Sequence, residues 1–371
     1  MNRRQYDIVI IGAGVIGHSI AFRLKRRAAD LRLAVLGDPM NSLMASRAAA
    51  GMLAPFGEHD RDDRIFRFCR ESLDKYPQFV EEVTAVGGVG IYLSMAGSIM
   101  PHCLTKDRWD DRLKFFRDTR IPHEVWPADV VKKKMPYLSD QCGAAIWVGE
   151  GQVNNRQLHD ALTAASGKLG IDIINRNVTG FTRDASSIGE ALTGGGEPVR
   201  GKKFVLAGGS WSTQLAKGLG VTLPLKPIKG QMCRLLVKDN RLDYTVHGFL
   251  TYIAPWRGGH GFVLGSTMED RGFDPRVEEG AIRALIENAA AVLPCLREAP
   301  LAETWTGLRP AAEDHMPVMG KSARFDNLYY STGHFRNGIL QTPNQADYMA
   351  DTVLETLAEE IREFSPARYN L

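Results

Sequence analysis

The stretch Tyr6–Leu24, YDIVIIGAGVIGHSIAFRL, decides the fold. Ile8–Ile11 is a β-branched run, as a strand buried on both faces requires. Gly12, Gly14 and Gly17 follow at GxGxxG spacing. Gly12 permits a tight turn, Gly14 lets a pyrophosphate approach the backbone, and Gly17 lets the next helix pack against the strand. Ile16, Ile20 and Leu24 recur four apart, so the period changes from strand to helix after Gly14. The helix N-terminus then turns free N–H groups and a partial positive charge toward phosphate. Strand, glycine turn and helix in this order predict a dinucleotide-binding α/β unit.

The next segments fit that unit with one departure. Leu31–Leu36 (LRLAVL) reads as its second strand. At the end of this strand an acidic residue ordinarily accepts hydrogen bonds from the ribose hydroxyls. Here that position is Gly37, and Asp38 follows one residue later. Either Asp38 does the work from a shifted position, or backbone and water do. His18, after the third glycine, is expected to cap or pack near phosphate and not to catalyse. Ala45–Pro55 (ASRAAAGMLAP) is small enough to lie against a large flat ligand; an alanine-rich helix start explains it equally well. Farther on, Lys203–Ala207 is a buried strand that ends in Gly208–Gly209, a second close approach of backbone to ligand.

Between these pieces the pattern changes. Residues 60–85 have a helical period, Ile91–Met100 alternates like strands, and Asp107–Thr119 is helical. Ala144–Val148 is a strand and Arg156–Gly170 a helix, followed by a strand at Ile171–Ile174 and a hairpin region at Val178–Pro198. Gln231–Val237, Leu250–Pro255 and Gly261–Leu264 are strands, Glu278–Leu293 a helix, Phe325–Ser331 a strand, and about Asn344–Phe364 the last helix. The expected division is a nucleotide domain from 1–57, 154–218 and 305–371, with a mostly antiparallel domain from 58–153 and 219–304.

Composition excludes several classes. Among 371 residues, 46 basic and 43 acidic side chains leave a net charge of +3, which argues against a nucleic-acid partner. The basic runs Lys25–Arg27 and Lys132–Lys134 read as solvated helix faces. Cys69, Cys103, Cys142, Cys233 and Cys295 show no CxxC, so reduced thiols are expected, and neither a disulfide framework nor a metal site. No apolar run is long enough to span a bilayer. The start MNRRQY imitates an export leader, but the apolar segment behind it is the strand and helix of the glycine motif. A cytoplasmic protein is the expectation.

Taken together, four stretches resemble the D-amino acid oxidase superfamily of FAD flavoproteins, and most closely its glycine oxidase branch. They are IIGAGVIG, SRAAAGMLAP, WTGLRP (Trp305–Pro310) and GHFRNGILQTP (Gly333–Pro343). KGQ at Lys229–Gln231 and TYIAPW at Thr251–Trp256 are placed as in the family. The resemblance, which runs from about Tyr6 to Phe364, implies an α/β fold: an FAD-binding Rossmann-type domain of the glutathione reductase kind and an antiparallel-sheet substrate domain. It implies non-covalent FAD, since no cysteine follows Cys295 to make a cysteinyl-flavin link. It implies that Arg309 holds a substrate carboxylate, that Tyr252 helps, that Arg336 sits beside flavin and substrate, and that Met52 and Met268 line the pocket. A guanidinium suits the first role because it grips a carboxylate through two parallel hydrogen bonds.

The flavin contacts that the resemblance implies are spread along the chain. Gly12, Gly14, Val15, Ile16 and Gly17 form the first set, with Asp38 beyond them. Ser46, Arg47, Ala48, Ala49, Ala50, Gly51 and Met52 wrap the ring. Val178, Ala207, Gly208 and Trp211 come from the middle of the chain. Gly333, His334, Phe335, Arg336, Asn337, Gly338, Ile339 and Leu340 bring backbone N–H groups to the pyrimidine end of the flavin. The implied reaction is oxidation of a small amine-bearing acid by hydride transfer to flavin, with dioxygen as acceptor. Two alternatives stay open, action on a side chain of a partner precursor protein and a non-catalytic nucleotide-binding module; whether the chain assembles into a homo-oligomer is left open as well.

Overall fold

In the computed structural model, which describes residues 5–105, 108–238, 242–248, 251–256 and 259–371, the strand Gln5–Ile11 lies at the centre of a largely parallel sheet. Asp172–Ile174, Leu33–Leu36, Gln5–Ile11, Val199–Leu206 and Leu328–Thr332 run parallel in that spatial order. Val318–Lys321 adds an antiparallel edge, and the hairpin Val178–Arg183/Ile188–Thr193 pairs with the first half of Val199–Leu206. Both faces of the central strand are covered, which is why it reads as a continuous apolar run. Ile8 and Ile10 enter one core, and Val9 and Ile11 the other.

On the first face four helices pack together: Val15–Arg27, Arg64–Gly87, Asn155–Lys168 and Gly338–Leu354. Arg64–Gly87 starts where Asp63 accepts from the Phe66 N–H at 3.0 Å and stops at Gly88 in the left-handed region. Both basic runs are last turns of helices, where cations meet the negative end of the dipole. His18 departs from expectation. It is buried between helices, its Nδ1 2.9 Å from Ser166 Oγ, and has no place near the glycine turn's open side.

The second sheet has the order Leu301–Ala312, Leu225–Leu235, Phe262–Gly265, Tyr252–Pro255, Thr245–His247, Ser98–Pro101, Ala145–Val148, His123–Trp126. Every pairing in it is antiparallel except Thr245–His247 with Ser98–Pro101. Helix Glu279–Ala290 covers one face through Ile282 and Leu285. Two elements cross the expected division: Leu301–Ala312 runs unbroken as the edge of this second sheet, and Arg64–Gly87 packs with the helices of the first.

Several boundaries differ from the sequence reading; the strand expected at Gln231–Val237, for one, spans Leu225–Leu235. The strand expected at Leu250–Pro255 spans Tyr252–Pro255, Leu250 lying outside the described residues, as does Asp107 at the start of the helix found at Trp109–Asp118. The last helix begins at Gly338, six residues before Asn344, and ends at Leu354. Pro343 lies inside it and cannot donate to the Ile339 carbonyl. Tyr76 Oη supplies that hydrogen bond instead, at 2.8 Å, and Ser72 Oγ donates to the next carbonyl, Leu340, at 2.7 Å. A neighbouring helix thus heals the defect. At the far end Glu355 adopts a left-handed φ of 61° and stops the helix.

Candidate active site

A cavity of about 530 Å³ runs from the glycine turn of the first sheet to the inner face of the second. At its first end, Gly12 has φ +127°, and a Cβ there would stand 2.1 Å from the Ala207 carbonyl oxygen. A Cβ on Gly17 would stand 1.9 Å from the Gly12 oxygen, so helix and turn close on each other only through glycine. The Val15 N–H donates to Ser46 Oγ at 3.2 Å. His159 Nε2 lies 2.8 Å from the Ala13 carbonyl, which only accepts, so Nε2 carries the proton. Its Nδ1 then accepts from Arg47 at 3.2 Å. Arg47 also pairs with Asp160, and its side chain is therefore turned away from the cavity.

Gly37 lines this end with φ +145°, and a Cβ there would crowd the Ala13 nitrogen at 3.0 Å. The usual acidic side chain would be strained at that position. Asp38 and Asn41 reach the cavity wall instead; Asp38 accepts from Met40 N–H at 2.8 Å and Asn41 from Leu43 N–H at 2.9 Å.

The two stretches SRAAAGMLAP and WTGLRP meet along the middle. Trp305 Nε1 donates to the Ala48 carbonyl at 2.9 Å, and Leu308 N–H to the Leu43 carbonyl at 3.1 Å. Ser210 Oγ, beyond Gly208–Gly209, donates to the Leu308 carbonyl at 3.0 Å. At the opposite wall the turn Gly333–Asn337 leads into helix Gly338–Leu354, whose first N–H groups line the cavity with no side-chain cap. His334 is buried, bonded to Gln341 at 2.7 Å, and burial holds its pKa down to about 4. It supports the turn as a neutral ring.

Arg309, from the second sheet, opens onto the same cavity. Its Nη1 donates to the Thr267 carbonyl at 3.2 Å and its Nη2 to Ser266 Oγ. Among the described residues no carboxylate forms an ion pair with it, and loss of solvent depresses its pKa. Tyr252 lies beside it; burial raises the phenol to about 12, and the guanidinium opposes that rise. Arg336 is exposed at the mouth and forms an ion pair with Glu58. Met52 is half-buried on the wall, while Met268 is 60% exposed at the rim.

Of the residues expected at the site, Gly17, Arg47 and Gly333 lie off the cavity; all the others line it. The sequence reading did not single out Glu58, Asn41, Ser266 or His159. Glu58 sits in a run of charged residues with nothing local to mark it, and His159 lies 146 residues from the carbonyl it holds.

The residues fit FAD. Two helix N-termini whose own N-cap residues supply no side-chain cap face one elongated cavity, the first with Ser46 Oγ on its Val15 N–H, and glycines keep the turn at one end free of side chains. A small-residue wall, Ala48–Gly51, lies between them.

A model of the DAO family, described as FAD dependent oxidoreductase, matches residues 7–352. The chain is 32% identical over 96% of its length to the bifunctional protein ThiO/ThiG of Trichormus variabilis, covering 54% of that protein. The chain thus spans about half the length of the first curated relatives it matches. It is 29% identical to glycine oxidase of Geobacillus kaustophilus over 98% of this chain and 97% of that one. The crystal structure of that glycine oxidase superposes with a TM-score of 0.90, covering 97% and 98% of the two chains.

Proposed function

The chain belongs to the DAO family of FAD-dependent oxidoreductases, and from that premise we propose that it oxidatively deaminates glycine or another small amine-bearing acid, such as sarcosine or a short D-amino acid. The observation that carries the reading is Arg309: a half-buried guanidinium, open to the cavity, with only neutral hydrogen-bond partners among the described residues. A partly desolvated cation without a counter-ion is costly, and a substrate carboxylate would relieve that cost. Bound in this cavity, FAD would supply a two-electron acceptor for the substrate's Cα hydrogen, with dioxygen as the final oxidant reduced to hydrogen peroxide.

This chain's residues do the positioning. Arg309 grips the carboxylate through two N–H groups, and the Tyr252 hydroxyl donates a third bond. Those contacts fix the Cα–H bond in one direction, and proximity rather than acid–base chemistry is asked to supply the rate. No side chain is assigned as a general base. The N-terminus of helix Gly338–Leu354 would hold the electron-rich end of the flavin through its N–H groups. The imine left on the substrate hydrolyses to oxoacid and ammonia.

The test is a peroxide and ammonia assay over glycine, sarcosine and short D-amino acids with the FAD-loaded protein. Equal amounts of peroxide and ammonia from a primary amino acid support the reading. No turnover of any free amine acid, with oxidation of a side chain on a partner protein, would replace it.

A further inference from the structure

The wall segment Pro55–Glu58 is a single helical turn, too short to hold its own shape. Ala54, before it, has no side chain able to cap it. The caps come from elsewhere. Glu150 is wholly buried, and one carboxylate oxygen, Oε1, accepts from the N–H groups of Phe56 at 2.6 Å and Gly57 at 2.7 Å. At the other end Arg112 donates to the carbonyls of Phe56, at 2.9 Å, and His59. A carboxyl oxygen on the N–H groups and a guanidinium on the carbonyls complement the turn's dipole from residues more than fifty positions away in the chain. The second oxygen of Glu150 accepts from Ser98 Oγ, with His247 Nε2 at 3.5 Å, and the His247 ring packs against Gly57. Glu58 of this turn lines the cavity, as Met52 and Ala54 just before it do, and Glu58 holds Arg336.

We propose that Glu150 and Arg112 are positioning residues: they clamp the Pro55–Glu58 turn, and through the Glu58–Arg336 pair they set how tightly the cavity takes a carboxylate ligand. The clamp stands on geometry alone; its effect on ligand affinity rests on the function proposed above.

The experiment follows hydrogen exchange over residues 54–59 in the FAD-loaded protein, together with glycolate titrations read by flavin absorbance. Glu150→Gln keeps an oxygen that accepts both N–H groups, so exchange and glycolate affinity should stay within about twofold of the parent. Glu150→Ala should speed exchange over 54–59 by about tenfold, with no change at the Ala145–Val148 strand, and weaken glycolate by about tenfold. Adding Glu58→Gln to Glu150→Ala should weaken glycolate no further, because both changes break one linkage. Arg112→Met makes the same test from the other end should Glu150→Ala fail to fold. Unchanged exchange over 54–59, loosening throughout the protein, or damage by Glu150→Gln equal to that by Glu150→Ala would each overturn the clamp. A parent protein whose flavin ignores glycolate would sink the carboxylate reading and leave the exchange result to decide the clamp.

Discussion

The guanidinium of Arg309 lies over Gly230: a Cβ on residue 230 would stand 2.3 Å from Nη1 and 2.6 Å from Cζ. Gly230 and Gly307 face each other in register on adjacent strands; the first leaves the space that the arginine fills, and the second leaves room for Ala48, whose Cβ would stand 2.3 Å from a Cβ there. This gives the KGQ stretch a physical purpose. Gly230→Ala should push Arg309 off its bonds to Thr267 and Ser266 and raise KM for an amine acid by about tenfold, equivalent to about 1.4 kcal/mol. Flavin content should not change, since the cofactor's end of the cavity is untouched. Steady-state kinetics with flavin quantified by absorbance checks both halves.

The ribose end makes a counter-intuitive case. Gly37→Glu restores the acidic residue that such folds ordinarily carry there. It should nevertheless lower flavin retention, because φ +145° and the Ala13 nitrogen at 3.0 Å leave a side chain strained. Asp38→Ala should lower retention too, if Asp38 does that work from its shifted position. Flavin-to-protein ratios after gel filtration measure the pair.

Acid sensitivity should come partly from His18. Burial holds its folded pKa down to about 3, against 6.5 ordinarily, with the neighbouring His159 acting in the same direction. Between those values the unfolded chain binds a proton that the folded one does not, so stability falls as pH falls. The loss is about 1.4 kcal/mol per pH unit, or about 2 kcal/mol between pH 6.5 and 5. His18→Gln should remove that part of the slope. Urea midpoints of parent and variant at pH 7 and pH 5 give the comparison; parallel slopes would contradict it.

What the sequence disclosed depended on how local the cause was. Tyr6–Leu24 was legible because strand period, glycine turn and helix period follow each other within nineteen residues. The start of the last helix was not, because Pro343 forbids one of its hydrogen bonds and the replacement comes from Tyr76, 263 residues away. Glu58 was hidden for a similar reason: only the fold brings it to Arg336. Arg309 and Tyr252 were legible through the family resemblance alone, since each taken singly reads as an ordinary strand residue. The direction of the Arg47 side chain was not legible, because the resemblance carries a stretch whole, while the side chain turns to His159 and Asp160.

The most direct measurement is kcat/KM for the best small amine acid with Arg309→Ala and Arg309→Lys, on protein shown to hold full flavin. Loss of a desolvated charge pair is worth about 2–5 kcal/mol, so kcat/KM should fall roughly 30- to 5,000-fold, with lysine restoring little because it cannot make two parallel bonds. Undiminished kcat/KM in the alanine variant, with flavin in place, would contradict the account.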